Sequence, residues 1–344
     1  MIFATESAHL GPSAIRYFQS QSALITQGKL SGQKIEFKAL MINDGKHDPL
    51  IGYGSYISFA SDAPGYGPLQ PTPVINNMTQ SYMETGGCAD QLKQCYRAGN
   101  GTAADKLCAT AEHYCTRKLF RPAVQGYNPD YLLESSSTTV KFPPSYYLNY
   151  VTSPKVMNAI GANTKFHGCN PAVKRAFSVQ GELGRTALPD LAALANARFP
   201  ILIWVGDADI KANWLGVHDA MVSMSWYGNL TLNNTALTNL TLGGSAVAAV
   251  KTIDSFTFAR VYGAGHNLAA YVPSTALYFF NQVVKLVGTS GSNAKTKTGS
   301  SSAAAASSTS GSSMNASPSK WITAQQINQI FPAWTIILVA YLYY

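Results

Sequence analysis

Charge is what this chain has least of. Lys, Arg, Asp and Glu together supply 12% of its 344 residues, about half the share of an ordinary soluble domain. The formal net charge of +8 is scattered, without a basic run or a basic helix face, and this excludes an electrostatic nucleic-acid surface. Cysteine is sparse as well, at five residues, and none stand in the short C-x2-C steps that a zinc site wants. No metal or organic cofactor is suggested. The start, Met1-Ile2-Phe3-Ala4, is too short for the apolar core and cleavage site of a secretory signal. At the other end the apolar stretch 330–344 falls short of the ~20 residues that span a bilayer comfortably.

What is present points to an extracytoplasmic protein. Hydrophobic residues make up 46% of the chain and aromatic ones 11%, ample for one large α/β domain or two smaller ones. N-glycosylation sequons begin at Asn77, Asn100, Asn229, Asn233, Asn239 and Asn315. The cluster over 229–241 reads as a glycosylated surface loop. Cys88, Cys95, Cys108 and Cys115 share one polar segment with the symmetric spacing C-x6-C-x12-C-x6-C. That spacing suits two nested bridges, although four cysteines permit three pairings and spacing alone does not choose. Cys169 is left over.

The chain divides by composition. Helices are expected over 12–21, 154–160 and 274–287, and strands over 35–42, 199–205 and 257–262. The apolar run 199–205 has the character of a strand buried on both faces. Residues 60–150, rich in Pro, Gly, Ser, Tyr and Cys, read as an insertion stapled by disulfides. From 288 to 320 the sequence turns to Ser, Ala, Gly and Thr, a composition that cannot bury enough apolar surface to order itself. Residues 321–344 then supply a polar spacer and a short apolar end, the pattern of a GPI-attachment signal. Asn315 is the expected attachment residue, with Ser313 as the alternative. An anchor signal without an entry signal is inconsistent, so the chain is expected to lack its beginning.

Three residues stand in an order that carries chemistry. Ser7 follows the apolar run 2–5, Asp207 and Asp209 follow the strand at 199–205, and His266 follows the one at 257–262. Ser, then Asp, then His, each just beyond a strand, is the order of an α/β-hydrolase site. A serine hydroxyl becomes a nucleophile when a neutral imidazole takes its proton. A carboxylate fixes the imidazole tautomer and steadies the imidazolium that forms. His266 lies in a Gly-Ala-Gly turn that leaves a ring accessible. His9, His47, His113, His167 and His218 lack such a setting and read as structural.

Ile42-Asn-Asp-Gly-Lys-His-Asp-Pro49, Tyr147-Leu-Asn149 with Val156 and Ala159-Ile-Gly161, VGDADIKANWLG at 205–216 and AGHNLAAYVP at 264–273 resemble successive landmarks of the serine carboxypeptidases. The match is nearest to secreted fungal members with a GPI tail. It covers 3 to about 287, and its most specific blocks are GDAD…NWLG and AGH. The resemblance implies an α/β-hydrolase fold in 1–287, here lacking its first strands and carrying a largely helical insertion. It makes Ser7 the nucleophile, Asp209 rather than Asp207 the acid, His266 the base and the Ala8 N–H an oxyanion donor. Glu6 becomes a protonated carboxyl that hydrogen-bonds the C-terminal carboxylate of a peptide. The implied activity is release of C-terminal residues through an acyl-enzyme at acidic pH. Peptide or protein C-termini are the partners, and a lipid anchor is the only membrane contact.

The chain also departs from the pattern. The family's elbow runs Glu-Ser-Tyr-Gly-Gly-His-Tyr-Gly-Pro, whereas Glu6-Ser7-Ala8-His9-Leu10-Gly11-Pro12 is two residues shorter and has His9 where a glycine belongs. Distorted serine geometry is expected. The family's Gly-Gly-Pro-Gly-Cys-Ser-Ser loop would lie before residue 1; it supplies an oxyanion donor and the disulfide partner implied for Cys169. Its loss, with the first strands, is expected to leave a sheet edge open. Ala212, Asn267 and Gly45-Lys46-His47 also differ and bear on side-chain preference. Two further readings stay open: a catalytically inactive surface glycoprotein or truncated gene product, and an esterase on the same fold.

Overall fold

The computed structural model describes residues 1–137, 145, 147–164, 166, 168, 170–292 and 338–340. Its centre is a seven-stranded sheet. The strands in chain order are β1 (Ile2–Thr5), β2 (Ala39–Asn43), the small separate pair β3 (Tyr127–Asn128) and β4 (Tyr131–Ser135), β5 (Ile201–Gly206), β6 (Thr238–Leu242), β7 (Ser245–Ile253), β8 (Phe256–Val261) and β9 (Leu338–Ala340). The sheet runs β6-β7-β8-β5-β2-β1-β9. Strands β9, β1, β2, β5 and β8 are mutually parallel, and the β6–β7 hairpin continues antiparallel from β8.

Alternation along the central strands builds two cores. Leu40, Ile42, Ile201, Ile203 and Val205 enter one, with Ile15, Phe59, Leu191 and Met221 from helices. Met41, Leu202, Trp204, Ala259 and Val261 enter the other against Phe279 and Val283. Every residue of β5 is buried, as its unbroken apolar character requires in a sheet covered on both faces.

Helix α1 (Leu10–Thr26) follows β1, α2 (Pro49–Ser61) follows β2, and α3 (Thr72–Met83), α4 (Cys88–Ala98) and α5 (Thr102–Cys115) form the helical insertion. The bridges are Cys88–Cys115 and Cys95–Cys108, the nested arrangement that the spacing suits. Cys88 and Cys115 lie in a third core with Tyr53, Tyr56, Met78, Leu92 and Leu119, and Cys95 and Cys108 are buried as well. The insertion thus rests on α2 and reaches the site through it.

Three expectations change. The second strand covers 39–43 rather than 35–42, because Glu36 and Lys38 are exposed and ion-paired ahead of the apolar run. Segment 229–241 forms a helix at Asn229–Asn234 and then β6, not a loop. Asn77, Asn100, Asn233 and Asn239 are exposed, while Asn229 is half-buried. The edge beside β1, expected to lie open, carries β9, with Phe3, Ala4 and Thr5 opposite Leu338, Val339 and Ala340. Cys169, His167, Ser313, Asn315 and most of 288–344 lie outside the described residues. Among the described residues, no helix is long and apolar enough to cross a membrane.

Candidate active site

The carboxyl ends of the parallel strands collect the polar residues. Ser7 lies beyond β1, Asp44 beyond β2, Asp209 beyond β5 and His266 beyond β8, at the edge where parallel α/β sheets place their ligands. Close backbone approach holds the last two loops together. A Cβ on Gly206 would lie 2.3 Å from the Ala264 carbonyl oxygen, and one on Gly265 would lie 2.3 Å from that of Asp130. The Ala208 N–H donates to Ala264 at 2.9 Å, the His266 N–H to Asp130 at 2.8 Å, and Asn43 Nδ2 to the His266 carbonyl at 3.2 Å.

Asp209 and His266 form a buried pair. His266 Nδ1 lies 2.8 Å from Asp209 Oδ2, and the two residues are 7% and 0% exposed. Asp209 Oδ1 accepts the Ala212 N–H at 3.0 Å. A carboxylate at that distance assigns the proton to Nδ1 and leaves Nε2 as the basic nitrogen. Asp207 does other work: it accepts from Tyr66, Gly263 and Arg260 and fastens the loops behind the site.

Ser7 reaches the same cavity without reaching the imidazole. One small cavity, about 50 Å³, is lined by Glu6, Ser7, Ala8, Asp44, Lys211 and His266, with His9, Lys46, Glu182 and Leu183 around them. Ser7 Oγ accepts the N–H of Leu10, the first residue of α1, at 3.1 Å, and no hydrogen bond joins it to His266 among the described residues. Among non-glycine residues described, positive φ occurs at Asp44, Arg198 and Asp254 but not at Ser7. The Ala8 amide donates to no acceptor among the described residues, and Ala8 lines the cavity.

Two buried carboxyls stand beside the pair. Glu6 is 8% exposed, and its Oε1 has no partner. Burial raises its pKa against the opposing pull of His266 and Lys211. Asp44 is 1% exposed; its Oδ1 accepts the Gly206 N–H at 2.8 Å, and Oδ2 is unpartnered. Burial first, and the Asp209 charge second, push its pKa well above the usual carboxylate range. Donor atoms of Asp44, Asp209 and His266 lie within 4.8 Å of one another, a metal-like set by composition. Within that set, Asp209 Oδ2 and His266 Nδ1 are bonded to each other.

A second cavity of about 50 Å³ adjoins the first and shares His9, Lys46, Leu183 and Lys211 with it. Such volumes suit a single side chain rather than the ~300–1,000 Å³ of a drug-sized ligand. His9, read as structural, bonds Glu182 at 2.9 Å across the mouth. His47, also read as structural, is 2% exposed with both ring nitrogens unpartnered, and burial lowers its pKa to about 3. Asp44, Lys211 and Glu182 were invisible as site residues in the sequence, and Lys46 stood out only as a departure bearing on side-chain preference. Only the position of Asp44 just past a strand, shared with Ser7, Asp209 and His266, was a signal.

These strands, loops and helices define an α/β-hydrolase fold. The chain belongs to the serine carboxypeptidase family, whose sequence pattern it matches over residues 17–286. That span contains Asp209 and His266 and begins beyond Glu6 and Ser7. Carboxypeptidase S1 of Penicillium janthinellum is 30% identical over 283 residues, 82% of this chain and 65% of that one. Carboxypeptidase Y of Schizosaccharomyces pombe is 26% identical, over 74% of this chain and 25% of its own length. Among solved structures, a prohormone-processing carboxypeptidase from Saccharomyces cerevisiae superposes with a TM-score of 0.54 at 18% identity, covering 78% of this chain and 58% of that one. The chain spans less than two thirds of the length of these relatives.

Proposed function

We propose that this chain is a serine-type carboxypeptidase that releases C-terminal residues from peptides through an acyl-enzyme. The observation that carries the reading is the buried Asp209–His266 pair opening into a cavity that Ser7 and Glu6 also line. Catalysis requires Ser7 Oγ to turn from the Leu10 amide towards His266 Nε2. The imidazole then takes the hydroxyl proton as Oγ bonds the scissile carbonyl carbon. The oxyanion gains the Ala8 N–H. As the C–N bond breaks, the imidazolium returns the proton to the leaving amine. Water then repeats the sequence on the acyl-enzyme.

Glu6 supplies the end-recognition. A neutral carboxyl donates a hydrogen bond to the substrate carboxylate, whereas two carboxylates repel. The raised pKa keeps this donor form present at acidic pH and removes it as pH rises through that pKa. Mass spectrometry should therefore show stepwise loss of C-terminal residues from a free-acid peptide, fastest below neutral pH, with its C-terminally amidated twin cleaved at least about tenfold more slowly. Equal cleavage of the twins would remove Glu6 from this role.

The same reading places the protein in the secretory pathway, at the cell surface, with glycans on the exposed asparagines and a GPI anchor at Asn315. Two disulfides suit an oxidising compartment.

A further inference from the structure

We propose that the cavity adjoining the catalytic one selects an acidic side chain, the Glu or Asp of a residue flanking the bond to be cut, and that Lys46 recognises its carboxylate. The ligand's identity as a peptide rests on the carboxypeptidase reading; the charge selection rests on the cavity itself.

Lys46 belongs to both cavities. It sits on the loop between β2 and α2, one residue past Gly45. There a Cβ would lie 2.5 Å from Ile42 Cγ2 and 3.1 Å from Ala8 Cβ, so the loop passes tightly beside the residue that follows Ser7. Lys46 is exposed along the recess. The surrounding protein and the charge of Lys211 lower its pKa to about 8, which leaves it cationic through the acidic range where the enzyme is expected to act.

The charged groups facing it include Lys211, Asp209, Glu112 and Asp130, with Asp48 and Glu182 also on the cavity walls; each of these acids has another partner, Asp48 the Ile51 N–H at 2.9 Å and Glu182 the His9 ring. Asp209 holds His266. Asp130 lies 3.4 Å from Lys211 Nζ. Glu112 accepts from Thr116 Oγ1 at 3.0 Å, and that hydroxyl is 2.6 Å from the Tyr53 hydroxyl. Among the described residues no carboxylate lies within ion-pairing distance of Lys46. Its Nζ lies over the Phe120 ring, 5.1 Å from the centroid, a weak attraction beside a charge-assisted hydrogen bond.

The remaining walls offer little competition for that ammonium. The Tyr53 and Tyr56 hydroxyls are already bonded, the latter to the Lys211 carbonyl at 2.6 Å. His47 is neutral. An apolar substrate side chain would fill the space and strip water from Lys46 without compensation. A basic one would meet like charge from Lys46 and Lys211. A carboxylate pairs with the ammonium and satisfies it.

The test uses the full-length chain and three fluorescent peptide series, with Glu, Gln or Lys placed either at the last or at the penultimate position. Binding is read by fluorescence anisotropy on Ser7→Ala, and cleavage on the unaltered protein. In one of the two positions Glu should bind about tenfold or more tighter than Gln, the effect of one charge-assisted contact, and Lys should bind weakest. In the Ser7→Ala background, Lys46→Met should erase the Glu preference and Lys46→Glu should turn it towards Lys, with melting curves showing both variants folded. Equal binding of Glu and Gln at both positions, a Glu preference that survives Lys46→Met, or no peptide binding would overturn the proposal. Equal weakening of every peptide in Lys46→Met would assign Lys46 to the terminal carboxylate and overturn it too. Lys46-dependent Glu binding without cleavage removes the activity and keeps the charge selection. Cleavage without Glu preference does the reverse.

Discussion

Asp44 has the most unusual surroundings of any carboxyl in the site. Its backbone is left-handed, at φ 47°, a region that Asn and Asp tolerate better than other side chains. Its carboxyl is buried beside the carboxylate of Asp209, and proximity of two acids in a dry site keeps one protonated. The folded pKa lies above the unfolded one, so the folded chain binds the extra proton. Its contribution to stability is therefore full below the unfolded pKa and lost as pH rises towards the folded value. Asn copies the protonated form, accepts the left-handed backbone and can still accept the Gly206 amide. Asp44→Asn is expected to match the unaltered protein at pH 4 and to be more stable at pH 7, by roughly 1–3 kcal/mol, the penalty of an uncompensated buried polar group. Thermal melts at the two pH values decide it. A variant destabilised equally at both would show that the ionised form is the native one.

At the scale of elements, the bridged helices matter to the site as well as to the fold. Cys95 and Cys108 join α4 to α5 across 13 residues of sequence. Glu112 on α5 and Tyr53 and Tyr56 on α2 line the adjoining cavity. Closing a loop of about this length contributes on the order of 3 kcal/mol in the chain-entropy account. Replacing both cysteines with Ser is expected to lower unfolding stability by about that amount in urea. A loss under about 0.5 kcal/mol would mean that helix packing holds the pair without the bond.

The central strands were legible because their apolar runs are short, bounded by turns and buried on both faces. β5 and β8 begin and end within two residues of expectation. Asp209 and His266 were legible because catalytic residue types stood directly after those strands. The site's other groups were not, since their meaning comes from contacts between distant segments. His9 meets Glu182 across 173 residues, and Asp44 meets Gly206 across 162. Lys46 looks like any loop lysine until α5 and the Lys211 loop are folded around it. The β1–β9 pairing was equally hidden, because a short apolar end reads alike as a strand and as an attachment signal.

At the scale of the whole molecule, that pairing and the anchor are alternative fates. β9 pairs with β1 along the sheet edge, whereas attachment of the proposed anchor at Asn315 would remove everything after it. The parallel sheet holds four loops at one end, and the account depends on whether that assembly works as a hydrolytic site. Ser7 Oγ accepts the first amide of α1, and the proposed chemistry requires it to swing to His266. Labelling of the folded full-length protein with a fluorescent organophosphonate, followed by peptide mapping, reports that event directly. The account predicts a covalent adduct on Ser7 that disappears in Ser7→Ala and falls at least about a thousandfold in rate in His266→Ala, as expected when the activating base is removed. An unlabelled Ser7 in folded protein, or labelling indifferent to His266, would contradict it.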